Sequence, residues 1–478
     1  MVRNGGRLLN GLGIGSALVF FLAATASAAP GGRLSRDLRE SLDAGGAGTY
    51  RVIVQGDRAA LEAAAARYGV RIAKGLKHGA VVEASREALE AMSADGALGH
   101  LAGDTLVRSM MAVSAAATGA DQAWQGLIPG LEAATGRGIG VAVIDSGVAR
   151  HAALRDRVVA SLDFTGPNGA GEDQYGHGTH VAGIIGGAAE GFRGMAPGAH
   201  LVSLKVLGAD GSGRTSDVIA AIDWAIDNRA AYNLRVINLS LGRPVYDSYR
   251  NDPLCQAVER AVRAGIVVVA AAGNYGKLPD GTLVVGGITS PGNSPYALTV
   301  GAVDTQGTVA RSDDAVALWS SRGPTMYDQL LKPDVVAPGR GIASLYAPGT
   351  SLAKAHPERL EAGNGANGLF VLSGTSMASA AVAGAAALVL EANPGLTPAQ
   401  VWVALQLTAT FMPDAGLVGA GAGSLNLPAA LQVAKNGPDL TGVTSVIGGE
   451  EAGLSGATFV QGNTIVWGNT IVWGSTTA

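Results

Sequence analysis

The sequence contains a single cysteine, Cys255, so it excludes a framework of intramolecular disulfides. Charge is also scarce, because only 15% of the residues are charged and the formal net charge is −4. Without an excess of basic residues, no broad face for a nucleic-acid partner is expected. Hydrophobic residues make up 47%, which excludes a disordered chain, and 478 residues can form more than one folded unit.

The first residues predict export. Arg3 and Arg7 precede an apolar run over 12–24, and Ala-Ser-Ala at 26–28 is a small-residue cleavage pattern. This order is typical of a secretory signal peptide, here over 1–29. The alternative is a membrane anchor, but the apolar run is short of the roughly 20 residues that a span needs. We therefore expect a secreted protein with no stable membrane span after cleavage.

The region 30–115 begins with a Gly-, Ala- and Arg-rich stretch over 30–48, which we interpret as a loose lead-in. Strand and helix patterns then follow in the order β-α-β-β-α-β, which predicts a ferredoxin-like α+β unit. The small residues of 109–120 predict a flexible linker after it.

A different pattern occupies 116–440. Nearly continuous apolar strands such as "IGVAVID" and "RVINLSLG" alternate with helices. Such strands are buried on both faces, so the pattern predicts a doubly wound α/β fold with a parallel sheet flanked by helices. Functional sites in these sheets form at the carboxyl ends of the strands.

The tail over 441–478 contains an exact repeat, Gly462–Trp467 and Gly468–Trp473. Its Thr, Ile, Val and Trp residues favour strand, although two copies are too few for a solenoid. Three interpretations stay open: docking on the preceding domain, a self-adhesive strand edge, and attachment to a cell surface.

Three residues in glycine-flanked turns could form a nucleophilic site. Asp145 ends a buried strand, His177 lies where glycines lead into a helix, and Ser376 lies at another helix start. A serine hydroxyl needs a base to become a nucleophile, and a buried carboxylate holds a histidine in the useful tautomer. Each residue alone also has a structural interpretation, as a turn cap, a loop residue or a helix N-cap.

The flanking motifs "VAVIDSGV", "GHGTHVAG" and "GTSMAS" resemble the three catalytic signatures of the subtilases, the subtilisin-like serine proteases. They occur in the Asp, His, Ser order of subtilisin. The stretches "VINLSLG", "VVVAAAGN" and "KPDVVAPG" are also similar, and the resemblance spans about 120–435. It implies a serine endopeptidase that acts on protein or peptide substrates.

The resemblance also implies residue roles. Asp145 would orient the imidazole of His177, which would be the general base, and Ser376 would attack the peptide carbonyl. Asn274 and the N–H of Ser376 would donate to the oxyanion. For Asn274 the alternative is a turn residue at a strand end.

The resemblance further predicts a substrate-binding cleft. Ser240, Leu241 and Gly242 resemble the edge that pairs with extended substrate, and 271–273 (Ala271, Ala272 and Gly273) resemble the opposite wall of the specificity pocket. Small residues there would leave room for a bulky apolar side chain, so we expect broad specificity with that preference. The alternative is that both segments are ordinary strand ends in the core.

The N-terminal unit resembles a subtilase propeptide, which would act as chaperone and inhibitor until it is cleaved between about Val107 and Ala120. The alternative is an unrelated accessory domain. The mature enzyme is expected to be a monomer, with its own propeptide and its substrates as partners.

Metal ligands are not expected from the residue pattern. His180 follows His177 by three residues, but no acidic residue accompanies the pair and the resemblance makes His180 structural. The loop after this motif has Glu190 as its single acidic residue, whereas Ca²⁺ needs six to eight oxygen ligands. No cofactor is required, and a structural calcium ion would have to bind elsewhere, for example near Asp313 and Asp314.

Two positions depart from the subtilase pattern, because Ala380 and Ala381 follow "GTSMAS" where the family usually has proline and often histidine. Proline early in a helix presets the backbone, so its loss predicts reduced rather than absent activity. Two other functions stay open: a non-catalytic peptide-binding homologue and a surface-attached structural protein.

Overall fold

The structure is a computed structural model that describes residues 34–43, 48–76, 79–103, 110–166, 171–362, 368–459, 464–467 and 470–474. The predicted signal peptide over 1–29 and the stretch 104–109, part of the predicted cleavage region, lie outside the described residues. The chain divides into two compact units, 1–107 and 108–478.

The first unit contains three helices and four strands among its described residues, in the order α1 Arg36–Asp43, β1 Tyr50–Gln55, α2 Arg58–Tyr68, β2 Arg71–Leu76, β3 Gly79–Ala84, α3 Arg86–Ser93 and β4 Leu101–Gly103. The strands form one sheet in the order β2-β3-β1-β4, and each neighbouring pair is antiparallel. The prediction of a loose lead-in over 30–48 is wrong for Arg36–Asp43, which form helix α1. Leu38 and Leu42, four residues apart, share one face of this helix and are buried in the core of the unit.

The second unit has the described helices α4 Met110–Thr118, α5 Ala120–Gln125, α6 His177–Gly186, α7 Thr215–Asp227, α8 Pro253–Arg263, α9 Ser351–Ala355, α10 Thr375–Ala392, α11 Pro398–Leu407, α12 Gly416–Ala420 and α13 Leu427–Asn436. Its described strands are β5 Gly140–Asp145, β6 Val158–Asp163, β7 Ala188–Ala189, β8 Phe192–Arg193, β9 His200–Lys205, β10 Leu234–Leu239, β11 Val267–Ala271, β12 Leu298–Asp304, β13 Ala315–Val316, β14 Val335–Pro338, β15 Ile342–Leu345, β16 Leu360–Ala362, β17 Leu369–Leu372, β18 Val446–Ile447, β19 Glu450–Glu451, β20 Ala457–Phe459, β21 Thr464–Trp467 and β22 Thr470–Gly474.

The flexible linker predicted over 109–120 is wrong where the structure describes it, because most of this stretch is helix α4. The small residues that suggested flexibility instead allow close packing, since Val113, Ala115 and Ala117 are buried. A run of alanines is also a good helix former.

The central sheet has the strand order β13-β12-β11-β10-β5-β9-β6, and β14 also pairs with β12. All of these pairs are parallel except that of β12 with β13. Along β5, Val141 and Val143 pack on one face of the sheet, while Ala142 and Ile144 pack on the other. The predicted parallel sheet covered by helices on both faces is therefore confirmed for this unit.

Helix α10 crosses the core on one face of this sheet. It is the one helix in the described part of the chain that is long and apolar enough to cross a membrane, but 83% of it is buried inside the protein. Its apolarity is therefore explained by packing in the core, next to α6 and the central strands.

The tail over 441–478 begins by packing on the second unit. Gln432 donates to the carbonyl of Thr444 at 2.8 Å, and Ser445 donates to Asn426 at 2.7 Å. Farther along, β20, β21 and β22 form a separate three-stranded sheet. Docking thus accounts for the first part of the tail but not for the repeat.

Candidate active site

Asp145 ends strand β5 at the carboxyl edge of the central sheet, and its side chain is fully buried. The Nδ1 atom of His177 lies 2.8 Å from Oδ1 and 3.0 Å from Oδ2 of this carboxylate. The N–H of Ser146 donates to Oδ1 at 2.7 Å. With Asp145 ionised, these contacts favour the tautomer that carries its proton on Nδ1 and leaves Nε2 free as a base.

His177 is the first residue of α6, and its side chain is 16% exposed. Burial is the largest single influence and lowers its pKa, but the negative charges of Asp145 and Asp173 act against it. The pKa of His177 consequently lies above the ordinary histidine value of about 6.5. Histidine acts as a base only when it is neutral, so activity that depends on it should fall on the acid side of that pKa.

Ser376 is the second residue of α10, and Gly374 precedes the helix. Its hydroxyl donates to the backbone carbonyl of Ser240 at 2.9 Å. No hydrogen bond joins Ser376 to His177 within the described residues, so the hydroxyl has to rotate away from Ser240 to reach the imidazole. The backbone N–H of Ser376 also has no acceptor in the described chain, as is usual in the first turn of a helix.

Asn274 follows β11 and its side chain is exposed. Its Oδ1 accepts hydrogen bonds from the N–H of Thr375 at 3.0 Å and from the Thr375 hydroxyl at 3.1 Å. Since a backbone N–H can only donate, the contacting atom must be the amide oxygen. This fixes the amide so that Nδ2 is directed away from Thr375, and within the described chain Nδ2 has no acceptor. It is available to an anionic oxygen in the cleft.

Thr375 is a residue that the sequence reasoning missed. Its Oγ1 accepts from the N–H of Gly273 at 3.1 Å while its hydroxyl donates to Asn274. It therefore links the end of β11 to the start of α10, on which Ser376 lies. Its position between Gly374 and Ser376 in the serine motif could have indicated a role at the site.

Asp173 was missed as well. One oxygen accepts from the hydroxyl of Ser146 at 2.9 Å and from two backbone N–H groups, of Tyr175 at 3.1 Å and Gly176 at 2.7 Å. The other accepts from the N–H and the hydroxyl of Thr179 at 2.9 and 2.6 Å. Burial raises the pKa of Asp173, but all five partners donate to it, which is the environment of a carboxylate.

Asp173 and Ser146 together connect the motif of Asp145 with the motif of His177. The hydroxyl of Ser146 donates to Asp173 and accepts from the N–H of Gly178 at 2.9 Å. A Cβ on Gly178 would lie only 2.1 Å from the carbonyl of Gly147, so glycine is required for this approach. The strand end that carries Asp145 is thereby held against the first turn of α6.

The predicted substrate edge borders a cleft. The hydroxyl of Ser240 donates to the carbonyl of Ser376 at 2.8 Å and accepts from Asn238 at 2.8 Å. Leu241 and Gly242 have no backbone partner among the described residues. A cavity of about 440 Å³ borders this edge, lined by Tyr175, His177, Leu207, Gly211, Ser212, Gly213, Arg214, Thr215, Val218, Ser240, Leu241, Gly242, Arg243 and Leu254. An extended peptide could pair with the edge and place side chains in this cavity.

The other predicted wall does not line this cavity. Ala271 and Ala272 are buried, and the backbone of Ala272 pairs with Val300 and Thr289. Gly273 has a φ of 105°, and a Cβ there would lie 2.8 Å from the Thr289 side chain. The first two residues are thus part of the core, and Gly273 is the member of the set that lies next to Asn274.

His180 and Cys255 have structural environments. Nε2 of His180 contacts the carbonyls of Ile342 and Phe370 at 3.0 and 2.9 Å, and burial followed by the charge of His177 lowers its pKa to about 3. Cys255 is buried with its Sγ 3.3 Å from Oδ1 of Asn293, and burial raises the pKa of the thiol. A neutral imidazole donating to carbonyls cannot bind a metal through the same nitrogen.

Asp313 and Asp314 have different surroundings, because Oδ1 of Asp314 is buried and has no hydrogen-bond partner in the described chain. Asp313 accepts from the hydroxyl of Thr308 at 3.0 Å, and Arg311 lies near Asp314. Across the described ranges, no group of three or more His, Cys, Asp or Glu side chains is arranged to hold a metal ion. Calcium dependence stays a prediction.

Ala380 is the sixth residue of α10 and, like Ala381, is fully buried in the core. The prediction assumed that this position lies early in the helix, where proline presets the backbone. That assumption is wrong, since the benefit of proline applies to the first helical position.

Comparisons with known proteins identify the family. The Subtilase family profile matches residues 136–440. Serine protease AprX of Bacillus subtilis (strain 168) is 41% identical over 276 residues, which cover 56% of this chain and 60% of that protein. The Alkaline protease of Alkalihalobacillus alcalophilus is 35% identical, covering 71% of this chain and 76% of that protein. The solved structure titled S41 Psychrophilic Protease has a TM-score of 0.52 and 30% identity, covering 64% of this chain and 97% of that chain. The chain belongs to the subtilase family of subtilisin-like serine proteases.

Proposed function

We propose that this chain is a secreted endopeptidase that cleaves peptide bonds through an acyl-enzyme formed on Ser376. The observation that carries the proposal is the pair of contacts from Nδ1 of His177 to the buried Asp145 carboxylate, at 2.8 and 3.0 Å. These contacts leave Nε2 of His177 free to act as a base. Ser376, at the start of α10, lies in the same unit.

The reaction begins when the Ser376 hydroxyl leaves the carbonyl of Ser240 and gives its proton to Nε2 of His177. Oγ then attacks the peptide carbonyl, and the resulting oxyanion accepts hydrogen bonds from Nδ2 of Asn274 and the N–H of Ser376. His177 returns the proton to the leaving amine, and water releases the acyl group by the same steps in reverse order.

The substrate lies extended along Leu241 and Gly242, whose backbone groups lack partners in the described chain. Its side chains on the acyl side enter the 440 Å³ cavity, where Leu207, Val218 and Leu254 are apolar. A bulky apolar side chain on the acyl side of the cleaved bond is preferred. A kinetic preference for basic side chains at that position would contradict this specificity.

The protein is made as a precursor that processes itself. Residues 1–29 direct export, and the N-terminal unit is a ferredoxin-like propeptide that assists folding and inhibits the site until it is cleaved. The β-α-β-β-α-β order and the antiparallel β2-β3-β1-β4 sheet support this assignment. No cofactor is needed for the chemistry.

Intact-mass measurement of the secreted wild type beside Ser376→Ala tests the proposal. We expect only the wild type to lose its propeptide, and only the wild type to gain the mass of a serine-directed phosphonofluoridate, which loses fluoride to the nucleophile. An unprocessed wild type without the adduct would favour the non-catalytic homologue. Equal processing of both proteins together with an adduct on wild type would retain the enzyme but reject self-processing.

A further inference from the structure

The repeat in the tail forms the outer part of a small sheet. Strand β20 is held to the second unit, because the N–H of Gly456 donates to the carbonyl of Leu407 at 2.9 Å and the hydroxyl of Thr458 donates to Gln406 at 2.8 Å. Strand β21 pairs with β20, and β22 pairs with β21. Within the described part of the chain, the second edge of β22 has no neighbour.

The two outer strands have the same sequence. Strand β21 is Thr-Ile-Val-Trp, strand β22 is Thr-Ile-Val-Trp-Gly, and the two pair antiparallel. Their register matches Trp467 with Thr470 and Val466 with Ile471. This sequence therefore pairs with itself in an antiparallel ladder at these positions, and the free edge of β22 exposes the N–H and C=O groups of the alternate residues, which do not bond β21.

The edge lacks charged residues and proline, two of the features that usually protect exposed strands, although the β21–β22 pairing has one register irregularity between Thr464 and Val466. Natural edge strands carry charged residues, proline or a bulge that prevents pairing with another chain. No charged residue and no proline occurs after Glu451 in this sequence. The strand instead combines high β-propensity with zero charge, which favours the addition of another strand.

We propose that β22 is a self-association strand through which two copies of this chain join their tail sheets. The two β22 strands pair antiparallel across a two-fold axis, so that the three-stranded sheet is doubled. A second copy is the favoured partner because its β22 has the Thr-Ile-Val-Trp sequence of β21, and β21 already pairs with β22 within the chain.

The assembly stops at two copies because the three-stranded sheet of β20, β21 and β22 has one free edge among the described residues. The opposite strand, β20, is tethered to the second unit, so pairing through β22 uses up the available edge and no filament forms. A strand of five residues buries far less than the roughly 1,000 Å² of a stable interface, so association should be weak and concentration-dependent. This differs from the monomer expected from the sequence.

Sedimentation velocity of full-length Ser376→Ala, which cannot digest itself, tests the proposal over a wide range of concentration. We expect a reversible monomer–dimer equilibrium. Adding Val472→Lys should give a monomer, since a charge on the edge opposes pairing. The matched control is Val446→Lys on β18, an exposed strand residue of the same type outside this sheet, which should still dimerise.

Two truncations test whether the Thr-Ile-Val-Trp sequence itself directs the association or whether any exposed apolar segment is sufficient. A chain ending at Trp467 exposes β21, which has the same Thr-Ile-Val-Trp sequence, and should still dimerise. A chain ending at Phe459 should be a monomer. The proposal is overturned if the full-length protein stays a monomer at every concentration, or if Val472→Lys dimerises as well as its control.

Discussion

The carboxylate of Asp173 offers a sharp test of how the site is held together. Replacing Asp173 with asparagine keeps the size of the side chain but leaves one acceptor oxygen where the structure has two. If that oxygen keeps its bonds to Ser146, Tyr175 and Gly176, the new amide group faces the N–H of Thr179. Two donors then meet, and the hydrogen bond at 2.9 Å is lost.

The size of the effect follows from that lost bond. A buried donor left without an acceptor costs about 1–3 kcal/mol, so the melting temperature should fall by a few degrees. The first turn of α6 thereby loses its Thr179 bond to Asp173 and is held to the Asp145 strand end by the Ser146–Gly178 bond. A small displacement of His177 from its working geometry should reduce kcat by about 10- to 100-fold.

The pH dependence provides the decisive measurement. The negative charge of Asp173 raises the pKa of His177, so its removal lowers that pKa. Since His177 acts when neutral, the acid limb of kcat/KM should move to lower pH in Asp173→Asn, measured with a peptide anilide. Asp280→Asn is the control, because Asp280 accepts from a backbone N–H in an exposed loop and should change neither quantity. An unchanged acid limb in Asp173→Asn would refute the electrostatic role, and an unchanged melting temperature would refute the tether.

Three further changes test other parts of the structure. Asn274→Ala should lower kcat of peptide hydrolysis by about 10²–10³-fold with little change in KM, the penalty known for this kind of donor in subtilisin itself; an unaltered kcat would reject the oxyanion role. Gly178→Ala should reduce activity at least about 100-fold, since its Cβ would meet a backbone carbonyl at 2.1 Å, whereas Gly186→Ala on the same helix should be mild. Lys332→Met should cost about 3–5 kcal/mol in denaturant unfolding by leaving Asp334 buried without the Lys332 ammonium at 2.6 Å, and adding Asp334→Leu should recover part of that loss, since the N–H of Thr299 then lacks its acceptor; a double variant that is no more stable than Lys332→Met would contradict this account.

The sheet and the candidate triad could be predicted because their signals are local. An unbroken apolar run indicates a strand buried on both faces, and a polar residue at its end marks the functional edge. Asp145 could therefore be identified as a candidate site residue from the neighbouring sequence alone. The same reasoning failed at α4, where a run of small residues was interpreted as flexible, although small side chains also allow a helix to pack closely in a core.

The supporting residues could not be predicted because their role depends on distant partners. Nothing near Asp173 in the sequence indicates that its carboxylate meets Ser146, 27 residues earlier in the chain. Thr375 bonds Gly273 and Asn274 across about a hundred residues, a relation that appears only after β11 and α10 are packed side by side. A sequence motif identifies the reacting groups, whereas the groups that orient them are defined by the fold.

The resting contact of Ser376 has a consequence for catalysis. Its hydroxyl donates to the carbonyl of Ser240, and the hydroxyl of Ser240 donates back to the carbonyl of Ser376. In the proposed mechanism, Ser240 also begins the edge on which the substrate lies. A peptide that pairs with this edge approaches the acceptor of the resting serine, and it brings its carbonyl to Asn274 at the same time. In the proposed mechanism, substrate binding and rotation of Ser376 toward His177 are therefore coupled through Ser240.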